Sequence, residues 1–156
     1  MSMNKVIVTG GAGFIGSNLV KRLIDDGAEE ILIIDDFSTG KKKNLQDFSK
    51  IQIIESKVED IDDLNSKFKG YDFCFHLAAG VGVQYIMDNL SDSLLTNIQG
   101  THIVFEACKE NNIPVLITST SEIYGTSKEE SWNEETKSLI GPTTKLRWSY
   151  AVSKMI

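Results

Sequence analysis

The chain has 156 residues, 41% hydrophobic and 24% charged, with two prolines and two cysteines. That describes one ordinary soluble domain able to bury roughly two-thirds of its unfolded surface without metal or disulfide staples. Sixteen Lys and Arg against 22 Asp and Glu leave a net charge of −6, which excludes a chain built to wrap nucleic acid non-specifically.

No apolar run approaches the roughly 18 residues of a membrane helix, and the N-terminus reads as a strand rather than a signal peptide. Cys74 and Cys108 lie in apolar segments without metal-ligand spacing. They read as buried reduced thiols, so a cytosolic protein with no metal is expected.

In chain order, Lys5–Thr9 is a β-branched run, followed by a glycine-rich stretch from Gly10 to Gly16 and a helical segment from Phe14 to Asp26. In that segment Phe14, Ile15, Leu19, Val20, Leu23 and Ile24 recur at helical spacing, and Gly27 serves as a stop. Ile31–Asp35, Ile51–Ile54, Asp72–Leu77 and Val115–Ser119 read as four further strands, the last entered through Pro114. A helix is expected from about Ser91 to Glu110, burying Leu94, Leu95, Ile98, Ile103, Val104 and Ala107. Gly100 in its middle costs about 1 kcal/mol relative to Ala and predicts a close contact. Lys41–Lys43 reads as a solvated basic loop, and Glu129–Glu135, with Trp132 inside it, as an acidic loop.

Continuous apolar strands are covered on both faces, and interleaved helices then give a doubly wound parallel α/β sheet of Rossmann type. Within it, Gly10, Gly11, Gly13 and Gly16 separate a strand from a helix, and Asp35 follows Gly16 by 19 residues. That is the dinucleotide-binding pattern, in which glycines let the backbone turn and approach a pyrophosphate at a helix N-terminus. Asp35 would accept hydrogen bonds from ribose hydroxyls and repel a ribose phosphate, which favours NAD. Lys41–Lys43 is the one feature on the side of NADP. Asp60 is readable either as an acceptor for the adenine amino group or as the N-cap of a helix near Ile61.

Two further segments carry chemistry, Ser119–Gly125 (STSEIYG) at the end of the fifth strand and Tyr150–Lys154 (YAVSK). Tyrosine and lysine four apart share one helix face. Bringing a phenol from its ordinary pKa of about 10 towards 7 takes roughly 4 kcal/mol. The Lys154 ammonium and a cationic nicotinamide can supply that. Thr120 or a neighbouring hydroxyl at the strand end would hold the substrate alcohol.

These motifs resemble those of the extended short-chain dehydrogenase/reductases, the NAD-dependent nucleotide-sugar epimerases, dehydratases and decarboxylases. The resemblance runs through TGGAGFIG (Thr9–Gly16), IDDFSTG (Ile34–Gly40), HLAA (His76–Ala79), NIQGT (Asn97–Thr101) and the two segments above. It implies that Thr120, Tyr150 and Lys154 are catalytic, with Glu122 beside them. It implies a cofactor site of Gly10, Gly13, Phe14, Ile15, Gly16, Asp35, Asp36, Phe37, Ser38, Gly40, Asp60, Ile61, Leu77, Ala78, Ala79, Asn97 and Ser119 together with Tyr150 and Lys154. In that company His76 is a packing or backbone-contact position.

The implied chemistry is transient oxidation of a sugar 4-hydroxyl on a UDP- or dTDP-linked substrate, with epimerisation, dehydration or decarboxylation following from the ketone. Ser121–Glu122 and GPTTKLRW (Gly141–Trp148) look most like the UDP-glucuronate decarboxylase branch and its epimerase-like relatives. A carboxylate in such a crevice serves as acid or base, or is a cap or surface residue. Two other readings stand beside this one: a non-catalytic NAD-binding fragment, and an NADP reductase of small carbonyls, against which Asp35 argues. The resemblance also implies a homodimer. Because family members continue past the Tyr-Lys helix into further strands and a substrate domain, residues 1–156 are expected to be the N-terminal NAD-binding part of a longer enzyme, inactive alone, with an uncovered sheet edge.

Overall fold

The computed structural model describes residues 3–45, 49–80 and 89–156. Two compact units emerge, one from the chain up to Ala78 with Gly100–Thr118, the other from Ala79–Gln99 with Ser119–Ile156.

The first unit holds a five-stranded, wholly parallel sheet in the order β3-β2-β1-β4-β5. Its strands are β1 (Lys5–Thr9), β2 (Glu30–Asp35), β3 (Ile51–Glu55), β4 (Phe73–His76) and β5 (Val115–Ile117). The order places the first strand at the centre and reverses direction beside it, the switch point at which open α/β sheets bind ligands. Side chains alternate across the pleat. Val6, Val8, Ile31 and Ile33 pack on one face with Val20 and Leu23 of α1 (Phe14–Asp25). On the other face Ile7, Leu32, Ile34 and Cys74 pack with Leu64 and Phe68 of α2 (Leu64–Phe68) and with Val104, Ala107 and Cys108 of α4 (Thr101–Glu110).

α1 closes as its sequence predicts. Gly27 at φ 99° ends it while the Ala28 and Gly27 amides donate to the Leu23 and Ile24 carbonyls, a Schellman arrangement. Phe14 and Ile15, however, are 85% and 64% exposed; they lie on the first turn, ahead of the face that Val20 and Leu23 bury. Coverage on both faces holds for β1 and β2 but not for the edge strands. Ile53 of β3 and Leu116 and Ile117 of β5 are exposed, and β5, paired among the described residues only with β4, ends at Ile117 rather than Ser119. Lys41–Lys43 leads into a 3-10 turn, Lys42–Leu45, in which Lys42 pairs with Glu55 and stands over the Phe37 ring.

The helix expected from Ser91 to Glu110 is interrupted. It runs as α3 (Leu90–Leu95), a π turn (Thr96–Gly100) and α4. One extra residue in the turn rotates the face presented before it by roughly 100°. Leu95 and Ile98 therefore point outward, 54% and 39% exposed, while Ser93 and Asn97 are buried. The close contact predicted at Gly100 is present, since a Cβ there would sit 3.1 Å from Val58 Cγ2.

In the second unit a 3-10 turn at Ser121–Tyr124 and the helix α5 (Trp148–Met155) carry the segments with chemistry. The acidic loop forms no regular element, and Trp132 stacks on Tyr124 with ring centroids 5.0 Å apart. Gly141 lies under Trp148, whose indole Nε1 would be 2.4 Å from any Cβ at that position.

Candidate functional site

The glycines between β1 and α1 divide into two kinds. Gly10 is at φ 71°, and a Cβ there would strike Ala78 N at 2.7 Å; at Gly11 it would strike Ile33 Cγ2 at 2.7 Å; at Gly16 it would lie 2.2 Å from Gly10 O. These three are demanded by the fold itself. Gly13 is not, because its nearest neighbour would be Gly10 O at 3.4 Å. Packing within the chain leaves that glycine unexplained, whereas a ligand drawn close to the backbone explains it. Gly13 is also the N-cap of α1, with no side-chain cap and no acidic residue in the first turn. The first helical amides are thus left for an anion, as a pyrophosphate requires. The donor set and the open glycine both fit a dinucleotide.

Asp35 ends β2, 8% exposed, and its carboxylate accepts from Ala12 N at 2.8 Å and from Phe37 N at 2.9 Å. Each oxygen keeps a further lone pair, so the carboxylate can still accept from a ribose while it ties the glycine loop to the next turn. Asn44 Nδ2 and Lys41 N both donate to Ala12 O, and Gly40 fits because a Cβ there would meet Ala12 Cβ at 2.8 Å. Asp36 spends its Oδ1 on Ser38 N and Oγ, beside Phe37 at φ 55°. Asp60 lies exposed at the end of a 3-10 turn. It is not an N-cap; that place belongs to Asp63, which accepts from Ser66 N. Ile61 packs against the core.

His76 does more than pack. Buried at the end of β4, its Nδ1 is 2.7 Å from Thr9 Oγ1 and its Nε2 3.1 Å from Thr101 Oγ1, while Thr9 Oγ1 accepts from Ala78 N at 3.2 Å. The HLAA and NIQGT motifs and the end of β1 are thereby joined, with Leu77 N donating to Thr9 O. The signal available beforehand was Thr9 itself, a hydroxyl closing an otherwise aliphatic strand.

The second unit brings together Thr120, Glu122, Tyr150 and Arg147. Thr120 Oγ1 accepts from Glu122 N at 3.2 Å, and the Thr120 hydroxyl lies where it favours the ionised Tyr150 phenol. Burial holds that phenol above its ordinary range; the Thr120 hydrogen bond opposes the rise and the Glu122 charge adds to it. The sequence predicts a phenol lowered by Lys154 and a cationic nicotinamide together. Among the chain's own groups burial dominates at the phenol, and it also pushes the Lys154 ammonium below its usual value. Arg147 Nη2 lies 3.4 Å from Glu122 Oε2, and its guanidinium stacks 4.8 Å over the Trp148 ring. Asn97 is spent inside the chain: its amide oxygen accepts from Gly80 N at 2.8 Å and its nitrogen donates to Ser153 Oγ at 3.1 Å and towards Gly80 O. Ser119 is exposed just before the 3-10 turn, and Ala79 is half-buried next to Gly80.

Among the described residues no helix is long and apolar enough to cross a membrane. The family model described as NAD dependent epimerase/dehydratase family matches residues 6–156. A UDP-N-acetyl-alpha-D-glucosaminuronate decarboxylase of Bacillus cytotoxicus is 35% identical over 97% of this chain and 47% of its own length. Among solved structures, a UDP-N-acetylglucosamine 4-epimerase from Methanobrevibacter ruminantium M1, in complex with UDP-N-acetylmuramic acid, superposes with a TM-score of 0.87 at 35% identity, over 99% of this chain and 48% of that one. The Bordetella bronchiseptica enzyme WbmG in complex with NAD superposes at 0.83 with 29% identity, over 98% and 47%. The chain therefore spans about half the length of these relatives. With its family model matched from Val6 to Ile156, this chain belongs to the NAD-dependent epimerase/dehydratase family.

Proposed function

We propose that the protein is an NAD-dependent nucleotide-sugar epimerase or dehydratase-type enzyme, acting on a UDP-linked sugar through transient oxidation of its 4-hydroxyl. The observation that carries this reading is the packing of the 3-10 turn with Thr120 and Glu122 against α5 with Tyr150, which gathers a hydroxyl, a carboxylate and a phenol in the second unit. In a family defined by NAD dependence, that trio is an alcohol-handling site. The first unit is proposed as the dinucleotide-binding part, with Gly10, Gly13, Gly16 and the α1 amides at the pyrophosphate and Asp35 at the ribose. When bound, NAD supplies the hydride acceptor that makes the sugar C4 a ketone.

Tyr150 takes the proton of the 4-hydroxyl on its phenolic oxygen. A hydrogen bond from Thr120 and the positive charge of Lys154 favour the phenolate, against the burial that opposes it. Glu122 is the acid or base for chemistry at the carbon next to the ketone. Its place after Ser121, and the decarboxylase name carried by the B. cytotoxicus relative, favour a second, narrower reading in which the substrate is a UDP-linked uronate that loses its carboxylate.

The test is calorimetric NAD binding by the longest natural form of the protein, followed by a panel of UDP- and dTDP-sugars, UDP-glucuronate included, with products followed by mass. Tyr150→Phe is expected to bind NAD yet form no transient NADH. Unchanged turnover by that variant would sink the assignment. NAD bound with no sugar turned over would favour a non-catalytic dinucleotide-binding module.

A further inference from the structure

We propose that Arg147 is a positioning residue of the candidate site: its guanidinium, braced on Trp148, holds the Glu122 carboxylate and offsets that negative charge beside Tyr150. The inference takes the identity of the base from the reading above.

Three observations carry it. Arg147 reaches Glu122 across 25 positions of chain, Nη2 to Oε2 at 3.4 Å. Its side chain is fixed from below, because the guanidinium stacks on Trp148 at 4.8 Å and Trp148 is itself seated on Gly141, where no side chain fits. Glu122 in turn stands on the 3-10 turn that Thr120 caps, and that turn packs against α5, which carries Tyr150. The segment Gly141–Trp148, otherwise without a role, thus becomes the brace that brings a cation to the candidate acid or base.

The electrostatic consequence follows in sign. An uncompensated Glu122 carboxylate disfavours a phenolate next to it, and the guanidinium cancels part of that field. Among the described residues, the other charged groups on the elements that pack around Tyr150 are Lys154, on the same helix, and Asp92 of α3, which is exposed. A cation near a phenol favours the phenolate, so Arg147, acting through Glu122, works with the same sign as the Lys154 ammonium.

The experiment places a fluorinated tyrosine at position 150 of the full chain, so that its phenol titrates where the protein is folded, and follows it by fluorine NMR while circular dichroism monitors the fold. Arg147→Gln is expected to raise the midpoint by a few tenths to about one pH unit, in keeping with a half-exposed pair. Arg147→Met, whose stem still packs on the indole, is expected to do the same and serves if the glutamine variant unfolds. In a Glu122→Gln background the same substitutions are expected to shift the midpoint much less, since the charge being offset is gone. An unchanged or lowered midpoint, or an equal shift with and without Glu122, overturns the proposal. The readout needs neither NAD nor turnover, so its failure is separable from failure of the sugar assay.

Discussion

The contrast between Gly16 and Gly13 gives the sharpest test of how the first unit is built. A methyl group at Gly16 would stand 2.2 Å from Gly10 O and 2.7 Å from Gly11 Cα, both backbone atoms that cannot rotate away. Merely reaching 3.0 Å needs a displacement of 0.8 Å (3.0 − 2.2) of α1 against the loop it emerges from. Forced overpacking of this kind costs about 1–3 kcal/mol. The roughly 1 kcal/mol by which alanine favours a helix offsets only part of it. At roughly 2–4 °C per kcal/mol for a chain of this size, Gly16→Ala is expected to lower the melting temperature by several degrees and to weaken NAD binding with it. Gly13→Ala meets nothing nearer than 3.4 Å, so its melting temperature should stay close to the parent's, within the ~0.5 kcal/mol usual for unstressed sites. Its affinity for NAD should nevertheless fall by tenfold or more, about 1.4 kcal/mol, because the methyl occupies the approach to the pyrophosphate. Thermal melts followed by circular dichroism and NAD titration by calorimetry separate the two effects. A Gly16→Ala protein that melts like the parent refutes the packing argument, and a Gly13→Ala protein that binds NAD undiminished refutes the ligand argument.

Asp35→Asn leaves one of the Ala12 and Phe37 amides facing an amide nitrogen instead of an oxygen, so chemical denaturation should show a loss of about 1–3 kcal/mol. His76→Leu strips the Thr9 and Thr101 hydroxyls of a shared buried partner; a destabilisation of similar size is expected, read by the same denaturation curves, and a neutral effect would discount the link. Glu30 is held below the usual carboxylate range by hydrogen bonds from Lys5 and then Tyr71. Its contribution is present above the unfolded-state value of about 4.3 and is lost as pH falls through the folded one. The stability gap between parent and Glu30→Gln should therefore close on acidification, and a gap independent of pH would contradict the assignment. Both thiols are buried, Cys74 above its ordinary range through its hydrogen bond with Cys108 and through burial. A thiol reagent should label neither in the folded chain and both after unfolding, as counted by mass.

How far the chain is readable from its residues alone depends on the range of the interaction. The five strands and α1 with its glycine stop follow from neighbours a few positions apart, because strand and helix periods and the left-handed stop at Gly27 are local properties of the backbone. The π turn at Thr96–Gly100 was not readable in this way. Its residues suit an ordinary helix, and only the burial of Ser93 and Asn97, with Asn97 bonded to Gly80 and Ser153, accounts for the face that it turns inward. The cap at Asp63 rather than Asp60 is a similar case, since either acid satisfies the spacing and the position of α2 against the core selects one.

The sequence by itself determined a parallel α/β sheet, the placement of a glycine-rich turn between its first strand and helix, and the candidates Thr120, Tyr150 and Lys154, since spacing along one strand or helix decides which residues share a face. Only the tertiary structure decided which of those groups have partners. Thr9 meets His76 across 67 positions, Ala12 meets Asp35 across 23, and Arg147 meets Glu122 across 25. Only it separated Gly13 from the three glycines that the fold itself requires, and only it set burial against hydrogen bonding at the Tyr150 phenol. The physical reason is that clashes, desolvation and hydrogen bonds depend on distances between atoms far apart in the chain, which no period or local spacing encodes.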